Sequence, residues 1–340
     1  MRGLPLLLAC LTLATATATE PFLKPNDVIA FVGGEDMVVA AEHGYLELLL
    51  SKALPTANLR FRSLAKEGDT VFEQQRDLNY PTLEQQLDQI GATVVIAQFG
   101  QSESLAGEEK LPEFIAAYEK LLQRLSGPTK RRLLVLKPNP FTPSELSSPV
   151  EKERLALLQE TLAKYSNGID ALAARPDTVI LFKHPREKPA EQEDPPIKSR
   201  VSDAKLPPTR DGMHLSPAGA MVSAANIRGA LVAHERVESL PKDESNLLPA
   251  PLLPGPPLRA NKQPKVEKDN LHSLIIEKNR LWYHYYRPQN WAFLAGDRTN
   301  QPSSRDHLDP TKRWFPTELE QFLPLIEARE REIAAALAKP

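Results

Sequence analysis

Short apolar runs alternate with stretches of helical periodicity along this chain. Val28-Ile29-Ala30-Phe31-Val32 is a continuous apolar run closed by Gly33-Gly34, and further β-rich runs occupy residues 58–61, 93–99, 133–137 and 178–182, each bounded by Gly, Pro or polar residues. Between them, residues 39–53, 82–90, 111–125, 149–172 and 217–237 repeat apolar positions near the 3.6 spacing of a helix. Ser216-Pro217 supplies an N-cap and first-turn pair for the last of these. Five strands separated by helices predict an α/β fold, a three-layer αβα parallel sheet joined by right-handed crossovers. Ligands of such sheets bind at the carboxyl ends of the strands, where Gly33-Gly34, Gly68, Gly100 and the segment around Asp211 are expected to meet.

The flanking segments follow other rules. Met1-Arg2, the apolar run at residues 4–13 and the small residues 14–19 read as a secretory leader with an Ala-x-Ala exit at residues 16–18. Cys10, the single cysteine of the chain, lies inside it, so the mature protein is expected to lack thiols, disulfides and cysteine ligands. A lipoprotein-type cleavage before Cys10 is the lesser alternative. Residues 184–210, dense in Pro, Lys and acids, read as a long surface loop, either a lid or a disordered insertion. The expected division is a leader at 1–19, a sheet domain at 24–236, a Pro-rich linker at 237–265 and a helical, aromatic extension at 266–340.

Composition narrows the function classes. Lys and Arg number 42 against 44 Asp and Glu, which leaves a net charge of −2 in 340 residues and no basic surplus to favour nucleic acid or an anionic membrane. No His, Asp or Glu spacing suggests a metal set, and no cofactor motif is present. The chemistry concentrates in Asp211-Gly212-Met213-His214, the spacing of an aspartate that orients a general-base histidine. The same four residues also suit a capped turn before a helix.

Block by block, the chain resembles the SGNH, or GDSL-like, hydrolase family over residues 27–236. The family's opening Gly-Asp-Ser is similar to Gly33-Gly34-Glu35-Asp36, its second block to Glu67-Gly68-Asp69-Thr70, its third to Phe99-Gly100-Gln101-Ser102-Glu103, and its last to Asp211-x-x-His214 followed by Leu215-Ser216-Pro217-Ala218-Gly219. Glu103 to Gly107 and Lys278 to Trp282 further resemble envelope proteins of planctomycete-type bacteria. The resemblance implies a flavodoxin-like, SGNH-hydrolase sheet, a Gly68 backbone N–H at the oxyanion, and Gly34, Gln101 and Glu103 at the substrate. It also exposes two departures. Glu35 stands where the nucleophilic serine belongs, with no Ser, Thr or Cys anywhere in residues 20–50, and Ser102 replaces the oxyanion asparagine.

A glutamate cannot form the turnover-competent acyl ester of a serine, and a carboxylate in that place is expected to pair with His214. Losing one oxyanion donor costs about 3 kcal/mol of transition-state stabilisation, a hundredfold or more in rate. Glu35 and Asp36 also suit solvated loop acids, the glycines suit tight turns, and Ser102 and Ser104 suit ordinary loop hydroxyls. In the extension, Trp282 and Trp291 suit either stacking on a sugar or packing on the sheet domain. Three readings follow: a carbohydrate or acylated-glycan binder with a degenerate site, an esterase using Asp211, His214 and an activated water, and an envelope scaffold that binds protein partners through the extension. An exported, periplasmic or extracellular location, with no membrane span, accompanies all three.

Overall fold

The computed structural model describes residues 21–74, 76, 78–142, 147–174, 179–182, 208–235 and 271–338. The leader with Cys10, the loop from 184 up to residue 207 and the linker at 237–265 lie outside the described residues. Among them, β1 (Val28–Gly33), β2 (Arg60–Ser63), β3 (Val94–Gln98), β4 (Arg132–Leu136) and β5 (Val179–Phe182) form one parallel sheet in the order β2-β1-β3-β4-β5. Helices intervene in chain order: α1 (Glu35–His43), α2 (Tyr45–Ala53), α3 (Leu83–Gln89), the short α4 (Gln101–Ser104), α5 (Leu111–Ser126), α6 (Pro149–Ile169) and α7 (Pro217–Glu235). The expected α/β class and parallel sheet are therefore present.

Strict alternation along the central strands builds the three layers. Ile29 and Phe31 of β1 join Val94 and Ile96 of β3 in a cluster with α1, α2 and α7 on one face. Ala30 and Val32 join Val95 and Ala97 in a second cluster with α3, α5 and α6 on the other. The period of two sends successive side chains to opposite faces, and a sheet covered on both faces reads as unbroken apolar runs.

The C-terminal part is helical: α8 (Leu271–Tyr286), α9 (Trp291–Leu294), α10 (Trp314–Glu320) and α11 (Phe322–Leu337). It is not a detached appendage, because Trp282, Tyr286 and Ile326 belong to the second core cluster. Among the described residues no helix is long and apolar enough to cross a membrane.

Candidate active site

The carboxyl end of β1 starts the site. Gly33 has φ 152, and a Cβ there would meet the Gln98 carbonyl oxygen at 2.5 Å, so only glycine lets β1 approach β3 this closely. Gly34 is the N-cap of α1, which places Glu35 and Asp36 in its first turn, where the helix dipole favours acids.

The two acids do different work. Glu35 does not pair with His214 as the sequence suggested: its Oε1 accepts from Nη2 of Arg210 at 2.5 Å. The guanidinium is the stronger partner because its charge is permanent and its fork suits a carboxylate. Asp36 is buried rather than solvated, with Oδ2 accepting from Asn139 Nδ2 at 2.8 Å and Oδ1 from the Leu215 N–H at 3.1 Å. Burial pushes its carboxyl above the ordinary value, against the pull of those two hydrogen bonds. Asp36 thus fastens α1 to the turn segment carrying His214.

Asp211 and His214 form the expected dyad, with His214 Nδ1 2.6 Å from Asp211 Oδ2. Oδ1 accepts from the backbone N–H groups of Met213 at 3.0 Å and His214 at 2.8 Å. Partial burial works to raise the Asp211 carboxyl, but the His214 ring and these two N–H groups outweigh it and hold it at about 2. Gln101 reinforces the loop, its Nε2 donating to the carbonyls of Met213 at 2.9 Å and Asn139 at 3.2 Å.

These residues open onto a cleft of about 240 Å³ lined by Gly34, Glu35, Glu67, Asp69, Gln101, Ser102 and His214, with buried Asp36 and Glu103 in its floor. Six of the ten residues singled out from sequence line the cleft, Gly34, Glu35, Gln101, Ser102, Glu103 and His214; Asp211 stands behind His214, and Gly68 is an exposed loop residue between two lining residues without lining the cleft itself. Two assignments of substrate contact need correction. Glu103 is committed to the backbone, Oε1 accepting from the Val71 N–H and Oε2 from the Gly100 N–H, each at 2.8 Å. Gln101 likewise commits its Nε2 to backbone, the carbonyls of Met213 and Asn139.

The tryptophans lie elsewhere. Trp282 is buried, donates from Nε1 to the Ser63 carbonyl at 2.8 Å and stacks on Tyr286, so its faces are unavailable to a sugar. Trp291 is half-buried, donates to the Leu78 carbonyl at 2.7 Å and packs 4.2 Å from the Tyr80 ring. Neither lines the cleft. Arginine is the residue type that sequence reasoning missed: Arg210 holds Glu35, Arg287 holds Glu67 at 2.6 Å and Arg76 holds Asp69 at 3.0 Å. Only Arg210, next to Asp211, had a position that pointed to the site. Among the described residues no group of three or more His, Cys, Asp or Glu is placed to hold a metal ion.

No family model matches the sequence, and no curated protein matches it. Among solved structures the chain is similar to lipases, esterases and α/β hydrolases at low identity. An acetyl xylan esterase, AlAXEase, aligns with a TM-score of 0.39 and 18% identity over 60% of this chain and 98% of that one. A lipase/acylhydrolase from Enterococcus faecalis aligns at 0.38 and 14% over 61% and 96%. A gut microbial diltiazem-metabolizing enzyme aligns at 0.45 and 17% over 63% of this chain, which spans about half, 48%, of that one. At these values the likeness concerns the fold and says nothing of activity.

Proposed function

We propose that this chain is an exported SGNH-type protein with a degenerate active site, whose cleft binds an acylated carbohydrate without ordinary serine-esterase turnover. The observation behind this reading is the Glu35–Arg210 ion pair at the head of α1, where the resemblance requires a serine hydroxyl free to meet His214. A carboxylate held by a guanidinium offers no hydroxyl to activate and no route to a stable acyl ester.

The walls suggest the ligand class. Glu35 and Glu67 line the cleft with partly exposed side chains and an arginine bound to each, so their charge is met within the protein while carboxylate lone pairs remain to accept hydrogen bonds; Asp69, also bound by an arginine, is buried. Such a surface suits a neutral molecule rich in hydroxyl donors, as a sugar is.

The intact 2.6 Å dyad supports one second reading, a hydrolase in which His214 takes a proton from a water as that water attacks an ester carbonyl. One experiment separates the two. Purified chain and its His214→Ala variant are offered chemically acetylated xylotetraose, with calorimetry for binding and an acetate assay for turnover. The degenerate-site reading expects saturable binding with acetate release at the buffer rate. Release that disappears in His214→Ala establishes the second reading instead, and a folded protein that neither binds nor hydrolyses overturns both.

A further inference from the structure

β2 is an edge strand, and α8 supplies donors to the acceptors it would otherwise leave open. In β2 and its exit the even residues bond towards β1: Arg60 N–H to the Asp27 carbonyl, Leu64 N–H to Phe31, Lys66 N–H to Gly33. The carbonyls of Phe61, Ser63 and Ala65 therefore face the open side. They accept in order from Lys278 Nζ at 3.3 Å, Trp282 Nε1 at 2.8 Å and Arg287 Nη2. Beyond the last β1 pairing, the Leu64 carbonyl shares the Tyr286 hydroxyl at 3.2 Å. The match has a metric reason: the donors stand four and then five residues apart, an advance of about 6.0 and 7.5 Å, against about 6.6 Å for two strand residues, so a helix running in the strand's direction keeps long side chains within reach of every second carbonyl.

The last rung reaches the cleft. While Nη2 of Arg287 holds the Ala65 carbonyl, Nη1 lies 2.8 and 2.6 Å from the two oxygens of Glu67, a cleft-wall residue. We propose that α8 is the positioning element of the cleft, with Arg287 fixing the β2 exit loop, residues 64–69, as one wall of the ligand site. Arg287 acts through Glu67 and the loop backbone, and is a positioning residue. The role in ligand binding rests on the cleft reading above, whereas the positioning of the loop does not.

The test is amide hydrogen exchange on the full chain, read in the segment 64–70 against β3 and β4. Arg287→Ala is expected to speed exchange in 64–70 at least tenfold with β3 and β4 unchanged, and Arg287→Lys, which keeps the charge and loses the fork, is expected to fall between. Unchanged exchange in 64–70, or equal acceleration everywhere, overturns the proposal. Should Arg287→Ala fail to fold, Glu67→Gln at an exposed side chain serves instead: faster exchange confined to 66–69 supports the proposal and no change overturns it. Acetylated xylotetraose binding is then expected to weaken at least fivefold in Arg287→Ala with partial rescue in Arg287→Lys. A wild type that binds none of it, yet shows the local exchange change, overturns the ligand reading and leaves the positioning role standing.

Discussion

Asp211 divides its oxygens between two tasks, one holding the His214 ring and the other closing the turn that presents it. Because its carboxyl is held at about 2 against an ordinary 3.8, it stabilises the fold while ionised. That contribution is complete above the ordinary value and is lost as pH falls through the folded one. With a side chain 46% exposed, solvent screening limits it to about 1 kcal/mol. Urea midpoints of Asp211→Asn and wild type are therefore expected to differ at about pH 6 and to converge only as the pH falls through about 2, and a constant gap would contradict the assignment. The dyad was legible in sequence because its two members lie three residues apart and bond within one turn. The partners Arg210–Glu35 and Asn139–Asp36 join residues 175 and 103 positions apart, a pairing that only the packed sheet creates. Glu103 was misread for the same reason, since the Val71 N–H it binds is 32 residues away.

At the scale of elements, the five strands were legible to within about two residues because buried parallel strands are continuous apolar runs. The helix expected over 39–53 instead begins at Glu35 and breaks at Gly44, whose φ of 63 ends α1 and starts α2. A Cβ there would meet Ile275 of α8 at 2.7 Å, so the break is set by a tertiary contact that periodicity does not encode. α8 is anchored on α2 by a buried ion pair, Lys278 Nζ lying 2.8 Å from both oxygens of Glu47. Burial pushes Glu47 up and Lys278 down, each opposed by the charge of the other. Removing one partner leaves a stranded charge, so Lys278→Met is expected to cost about 3–5 kcal/mol in chemical denaturation. Lys278→Met with Glu47→Leu is expected to recover most of that loss, because the Phe61 carbonyl keeps its bond from Arg62. A double variant as unstable as the single one would show that the pair is held for its hydrogen bonds and not for charge balance.

Across the whole molecule, residues more than two hundred positions apart share one core. Trp282 and Tyr286 lie in the same cluster as Val32 of β1 and Val95 of β3, and Leu274, Ile275 and Ile333 close a further cluster on Leu48 of α2. The sequence marked the C-terminal aromatics as a group but not their side of the sheet, because stacking on a sugar and packing on a strand use the same residues. Their burial decides what the segment does for stability. Two such rings remove about 300–500 Å² from water, an upper estimate of about 7–12 kcal/mol, against a net stability of about 5–15 kcal/mol for a whole domain. Deleting residues 271–340 also strips the donors from the Ser63 and Ala65 carbonyls and leaves that of Phe61 only its bond from Arg62, so β2 becomes an open edge. The shortened chain is therefore expected to lose cooperative unfolding and to aggregate. Circular dichroism melts are the suitable measurement, since all three tryptophans, at 282, 291 and 314, leave with the deleted segment. A sharp transition within a few degrees of the full chain would mean that the sheet with α1 to α7 is a self-sufficient unit, and that the core contacts of α8 contribute far less than their buried area implies.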